Sequence, residues 1–289
     1  MCRLFGLAAA APVRAAFWLL EAPDSLAEQS RRNPDGYGLA WLGPRGWDVD
    51  KEPVAAYGDA DFRRDATERV SPRFLAHVRY ASVGAHRLEN THPFALDGRV
   101  FAHNGHIGGL DRLEAELGPA LAGVRGDTDS ERFFALATRE IDRRGGDVGA
   151  GLVAAARWIA AELPLFALNC VLGAGDGLWA LRYPATHDLL VLERAAGGPG
   201  GARHLEQASA AGRIRVRSGD LADRPAVVVA TERMDEDPAW SEMAAGELLH
   251  IAPDLTVTRT LALPDPPAHP LTLADLEPHA AAAQGAPAT

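Results

Sequence analysis

Residues 148–183, VGAGLVAAARWIAAELPLFALNCVLGAGDGLWALRY, hold the reading that decides the fold. Leu152, Ala156, Ile159 and Leu163 recur at helical spacing, which predicts an amphipathic helix over Val148–Leu163. ALNCVLGAGDGLWALRY then reads as an apolar run, a glycine turn and a second apolar run, the pattern of an antiparallel hairpin. A helix that feeds a hairpin does not build the crossovers of a parallel doubly wound sheet.

Upstream, Thr128 with Glu131 forms a capping box for a helix whose apolar stripe is Phe133, Phe134, Ala137 and Ile141. Leu110, Leu113 and Leu117 mark a shorter helix before it. FLAHVRY, RVFAHNG, GLAWL, Arg3–Ala10 and the segment around Trp47 read as strands, and Ser25 with Glu28 opens a short helix ending near Arg31. Downstream, PAVVVATE, ELLHI and LTVTRTLAL supply further strands, with GGPGG at 197–201 as a flexible loop. Strands, then helices, then strands again predict an α+β layered architecture. Residues 1–263 read as a single domain. From Pro264 onward large apolar side chains are few, so 264–289 is expected to be a disordered or loosely packed tail.

The 289 residues are 47% hydrophobic and 24% charged, a globular composition long enough to bury a sizeable core. Twenty-nine basic against 39 acidic residues leave a net charge of −10, which argues against nucleic acid or an anionic membrane as partner. Lys51 is the only lysine. No fixed-period repeat is visible, which excludes solenoids and propellers. No run reaches the roughly 18 apolar residues of a membrane-spanning helix, and Arg14 interrupts the apolar opening. Two cysteines, Cys2 and Cys170, make no disulfide framework, so the expectation is a reduced, cytoplasmic protein.

Candidate chemistry begins at Cys2. Removal of Met1 would put a thiol and a free α-amine on one residue, and an amine of pKa about 7.7–8.0 can take the thiol proton. Taken alone, Cys2 reads first as a small buried thiol of an edge strand. In FAHNGHIGG, residues 101–109, the Asn104–Gly105 pair suits a sharp turn with Gly105 at positive φ. Such a turn can aim the Asn104 side-chain N–H and the Gly105 backbone N–H at one point, as an oxyanion hole requires; ordinary hairpins also use Asn-Gly. Arg79, in HVRYASVG at 77–84, carries a planar fork that matches a carboxylate, either of the protein or of a substrate. Asp129, in GDTDSE at 126–131, either complements a helix dipole or pairs with a substrate ammonium. His86, His92, His103 and His106 lack regular ligand spacing, so no metal is expected, and His92 before Pro93 is expected to orient a loop by hydrogen bonding. GAGDG at 173–177 precedes a strand rather than a helix, and neither a GxSxG elbow nor a Walker sequence occurs, so no cofactor is expected. A nucleophile, a carboxylate clamp, an oxyanion hole and an ammonium partner together suit acyl transfer on an α-amino acid with a side-chain amide. Glutamine is the obvious candidate.

At this point the sequence resembles the class II glutamine amidotransferases. The resemblance rests on MCRLFG, NPDGYG, HVRYASVG, ENTHPF, FAHNG and GDTDSE, in that order within residues 1–140, and on the later TERMDEDPAW and GELLHI, which look like the family's closing strands. The ENTHPF block with the AHNG strand looks closest to the small stand-alone members. The resemblance implies a four-layer αββα sandwich of two antiparallel sheets, the N-terminal nucleophile hydrolase fold. It implies Cys2 as nucleophile with its own α-amine as base, Asn104 and Gly105 as oxyanion hole, Arg79 on the glutamine carboxylate with Ser82 beside it, and Asp129 on the α-amino group. Val83 departs from the pattern, since several large amidotransferases carry a His there.

The activity so implied is hydrolysis of glutamine to glutamate and ammonia, with the ammonia passed to a separate synthetase subunit. The chain beyond residue 184 shows no phosphate loop or nucleotide motif that would make an acceptor domain. Two alternatives stand beside this reading: a γ-glutamyl amide hydrolase like that of the ergothioneine pathway, and a catalytically silent regulatory subunit.

Overall fold

The computed structural model describes residues 2–80, 85–196, 205–208, 215–218 and 224–285. The chain opens with β1 (Arg3–Val13), α1 (Leu26–Gln29), β2 (Tyr37–Gly43), β3 (Gly46–Glu52), α2 (Ala60–Glu68) and β4 (Ser71–Val78). Its middle holds β5 (Phe94–Leu96), β6 (Arg99–Ile107), α3 (Leu110–Leu117), α4 (Asp129–Arg143), α5 (Val148–Glu162), β7 (Pro164–Ala174) and β8 (Gly177–Arg182). Then follow β9 (Leu190–Arg194), β10 (Leu205–Ala208), β11 (Arg215–Ser218), β12 (Ala226–Ala230) and β13 (Trp240–Glu242). Last come β14 (Glu247–Ile251), β15 (Val257–Leu261), β16 (His269–Pro270) and α6 (Pro278–Gln284).

Among the described residues one antiparallel sheet runs β13-β9-β12-β1-β4-β2-β3 and a second runs β15-β14-β8-β7-β6-β5. The exception to antiparallel pairing is β16, two residues that pair parallel with the start of β7. β10 and β11 form a separate hairpin. Strand alternation builds the layers. In β1, Leu4 and Ala8 face the second sheet, where they meet Val100, Ala102, Val171 and Ala180. Phe5, Leu7 and Ala9 face the other way, onto Phe17, Trp18, Leu26 and Phe62 of the outer layer. On the far side Phe133, Phe134, Leu152 and Ile159, from α4 and α5, cover the outer face of the second sheet. Helix, sheet, sheet and helix make the α+β four-layer sandwich.

Arg73 pins the two sheets at the end of β4 away from Arg79. Its guanidinium donates to the carbonyls of Ala9 (2.9 Å) and Pro72 (2.8 Å) on one side and of Asp176 (2.7 Å) and Pro253 (2.9 Å) on the other. Those last two lie in the turns of the β7–β8 and β14–β15 hairpins.

Several elements differ from the sequence reading. α2 carries too few apolar residues to mark a stripe; Asp59 starts it by accepting from the N–H groups of Asp61 (3.0 Å) and Phe62 (2.9 Å). TERMDEDPAW is not a strand: residues 231–239 form a loop, and only Trp240 enters β13. The segment after Leu263, read from composition as loose, is tethered by β16 and by α6, in which Ala280, Ala283 and Gln284 are buried. Alanines give little hydrophobic signal, yet fit a close approach. The 197–201 loop, Met1, Ser82 and Val83 lie outside the described residues. No helix among those described is long and apolar enough to cross a membrane.

Candidate active site

Two adjacent strands bring Cys2 and Arg79 together. In the β1–β4 ladder Arg3 is opposite Val78, so Cys2 and Arg79 emerge side by side at the strand ends. Cys2 is half-buried, and its Sγ sits against the Tyr80 backbone, accepting from the N–H at 3.2 Å and facing the carbonyl at 3.3 Å. Burial pushes the Cys2 thiol up, while the Tyr80 hydrogen bond and the charges of Arg79 and Arg3 pull it down. A buried ion pair, Arg3 to Glu232 at 2.5 Å, and the Leu4 N–H to Thr231 Oγ1 bond tie the start of β1 to the TERM loop.

NPDGYG positions Arg79. The Arg79 N–H donates to the Gly36 carbonyl at 2.8 Å, and its carbonyl accepts from Asp35 N–H at 3.1 Å. The guanidinium is buried and donates to the Ala85 carbonyl at 3.2 Å. Burial lowers its pKa against the opposing pull of Cys2, Asp35 and Asp129, and a guanidinium stays charged regardless.

Asn104 comes from the other sheet. On β6 it shares the parity of Val100 and Ala102, so it points between the sheets, where its Nδ2 donates to the Cys2 carbonyl at 3.1 Å. A carboxamide carries two N–H groups, so a second donor remains. Gly105 corrects the sequence reading. It lies inside β6, not in a turn, and positive φ belongs to Gly109 at the start of α3. Glycine is needed because a Cβ at 105 would stand 1.9 Å from the Ala167 carbonyl oxygen of β7.

Asp129 opens α4 behind the Thr128 cap. Its carboxylate accepts from Ile107 N–H at 2.8 Å and Ser130 N–H at 2.9 Å, which fixes it beside the end of β6. His103 stands next to it, with Nε2 donating to the Ala167 carbonyl at 3.1 Å and Nδ1 accepting from Ser130 Oγ at 2.9 Å. His92 is a second correction. Its ring nitrogens make no hydrogen bond among the described residues; it packs instead on His77, with ring centroids 4.3 Å apart, and on Phe94. Burial keeps His77, His92 and His103 below the usual histidine range.

Cys2, Arg79, Tyr80, Gly105 and Asp129 line one cavity; Asn104 does not line it and is tied to it through its bond to the Cys2 carbonyl. Of the candidate site residues named from the sequence, Ser82 is the one outside the described chain. Sequence reasoning missed Tyr80, whose backbone brackets the thiol, and Gln284 of α6, which also lines the cavity. Tyr80 follows Arg79 directly and a strand-end reading could have found it. Nothing local marks Gln284.

Known proteins share the family and the fold. The family model described as "Glutamine amidotransferases class-II" matches residues 1–267. The Escherichia coli protein YafJ is 26% identical over 259 residues, covering 86% of this chain and 96% of that protein. The γ-glutamyl-hercynylcysteine sulfoxide hydrolase of Mycobacterium tuberculosis is 28% identical over 264 residues, 87% of this chain and 93% of the relative. Among solved structures, a glutamine aminotransferase class-II domain protein from Silicibacter pomeroyi superposes with a TM-score of 0.58 at 20% identity, over 90% of this chain and 98% of that one, a likeness of fold. The family match thus spans the strands of both sheets, and the chain belongs to the class II glutamine amidotransferases.

Proposed function

We propose that this protein hydrolyses the side-chain amide of glutamine, with Cys2 as nucleophile once Met1 has been removed. The observation that carries the reading is the convergence of Cys2, Arg79, Gly105 and Asp129 on one cavity, with Asn104 bonded to the Cys2 carbonyl. Arg79 binds the α-carboxylate with its planar fork, and Asp129 pairs with the α-ammonium. The Cys2 α-amine takes the thiol proton, and the sulfur attacks the amide carbon. The developing oxyanion settles against Asn104 Nδ2 and the Gly105 N–H, where losing one donor typically costs about 2.7–4 kcal/mol of barrier. The α-ammonium protonates the leaving nitrogen, ammonia departs, and water resolves the γ-glutamyl thioester to glutamate and free thiol. The ammonia passes to a separate synthetase.

Purified protein is expected to lack Met1 by intact mass and to release glutamate and ammonia from glutamine. Cys2→Ala should lower that rate on the order of a thousandfold or more. A Cys2→Ala protein with full activity removes the nucleophile from the scheme.

The similarity to the Mycobacterium tuberculosis hydrolase, which spans 93% of that protein, supports a second reading: hydrolysis of an N-substituted γ-glutamyl amide. Comparing kcat/KM for glutamine and for N-alkyl γ-glutamyl amides separates the two, with glutamine expected to lead.

A further inference from the structure

The cavity beside Cys2 has room for only about 20 Å³, the space of a single water, and Gln284 of α6 is part of its wall. Gln284 at the end of that helix is buried and lines the cavity, and both ends of its side chain are bonded. Its Nε2 donates to the Gly105 carbonyl at 2.8 Å, and its Oε1 accepts from His187 Nε2 at 2.8 Å. His187 is itself held rigidly: its carbonyl accepts from Arg182 Nε at 2.8 Å and Asn169 Nδ2 at 3.1 Å, and its ring packs edge-on against Phe166. A donor on His187 and an acceptor on Gly105 therefore hold a carboxamide of the chain itself in the wall of the cavity that also contains the candidate nucleophile.

We propose that α6 is a displaceable plug whose Gln284 side chain closes the cavity beside Cys2, so that substrate enters only when the helix lifts away. The inference rests on the proposed reading of the cavity as the substrate site. The attachment suits displacement. α6 has seven residues, too few to be stable alone, and it is held by Leu276 and Ala280 against Phe166 and Ala167 and by a ring contact of His279 with Tyr80. A chain that is mostly plugged raises the apparent KM by the inverse of its open fraction and leaves kcat unchanged.

The test measures alkylation of Cys2 by iodoacetamide, which needs no glutaminase chemistry, in the full chain, in Gln284→Ala and in a chain ending at Glu277. Fully buried Cys170 is the internal control for folding. Both variants are expected to react at Cys2 about tenfold faster than the full chain, and in a competent enzyme the KM for glutamine falls by the same factor at constant kcat. An unchanged alkylation rate in Gln284→Ala overturns the plug, as does a raised KM, which would make Gln284 part of the binding wall. If the shortened chain exposes Cys170, Gln284→Ala alone decides. Faster alkylation without glutamine turnover upholds the plug and sinks the glutaminase reading; turnover with alkylation unchanged does the reverse.

Discussion

A guanidinium and an ammonium carry the same charge in different shapes, and Arg79 is where that difference becomes measurable. Its backbone is locked by Asp35 and Gly36, so a lysine in its place would start from the same strand end. It would lack the two parallel donors that match a carboxylate. Arg79→Lys is therefore expected to raise the KM for glutamine at least about tenfold with a smaller change in kcat, read from steady-state kinetics. An unchanged KM removes Arg79 from the carboxylate. At this scale residue types were legible in the sequence while their reasons were not. Asn104 and Gly105 stood out as a pair, but the pair suggested a turn. Its actual setting is a strand whose neighbour comes within 1.9 Å of where a Cβ would be. That distance depends on β7, some sixty residues away, and no local pattern reports it.

Local signals did better with the elements. Ser25 and Thr128 each accept from the N–H three residues on, the cap half of each expected capping box, while the Glu131 carboxylate accepts from Arg125 and Gly126 N–H; α3, α4, α5 and the β7–β8 hairpin follow their apolar spacing. α2 escaped because it buries only Phe62 and Ala66 among its apolar residues, too few for a stripe. The α4–α5 crossing adds a constraint that helix propensity would misjudge. A Cβ on Gly151 would lie 2.5 Å from the backbone N and Cα of Ile141, atoms that cannot swing aside. Alanine gains up to about 1 kcal/mol in helix propensity, while overpacking typically costs about 1–3 kcal/mol. Gly151→Ala should thus lower the urea midpoint by a net cost of about 1–2 kcal/mol; a raised midpoint would show that the helices can separate freely.

The whole molecule stores an acid sensitivity between its sheets and beneath the site. Burial drops the His77 pKa from 6.5 to about 3, and His92 and His103 are lowered by the same cause. Below about 6.5 the unfolded chain binds a proton at His77 that the folded chain refuses, so stability is intact above that pH and is lost as pH falls towards 3. From about pH 7 to about pH 5 the loss from His77 alone is on the order of 2 kcal/mol, visible as a falling urea midpoint that flattens in His77→Asn. A slope unaltered by His77→Asn would place the sensitivity elsewhere. The sequence by itself determined the α+β class, the starts of α1, α4 and α5, the hairpin and the candidate chemistry, because periodicity, caps and motifs act within a few turns of chain. Tertiary structure alone decided that Asn104 reaches across to Cys2, 102 positions away, and that Gln284 reaches Gly105, 179 positions away. Such contacts arise from how sheets stack and where the tail returns, and a residue's immediate neighbours carry no record of either.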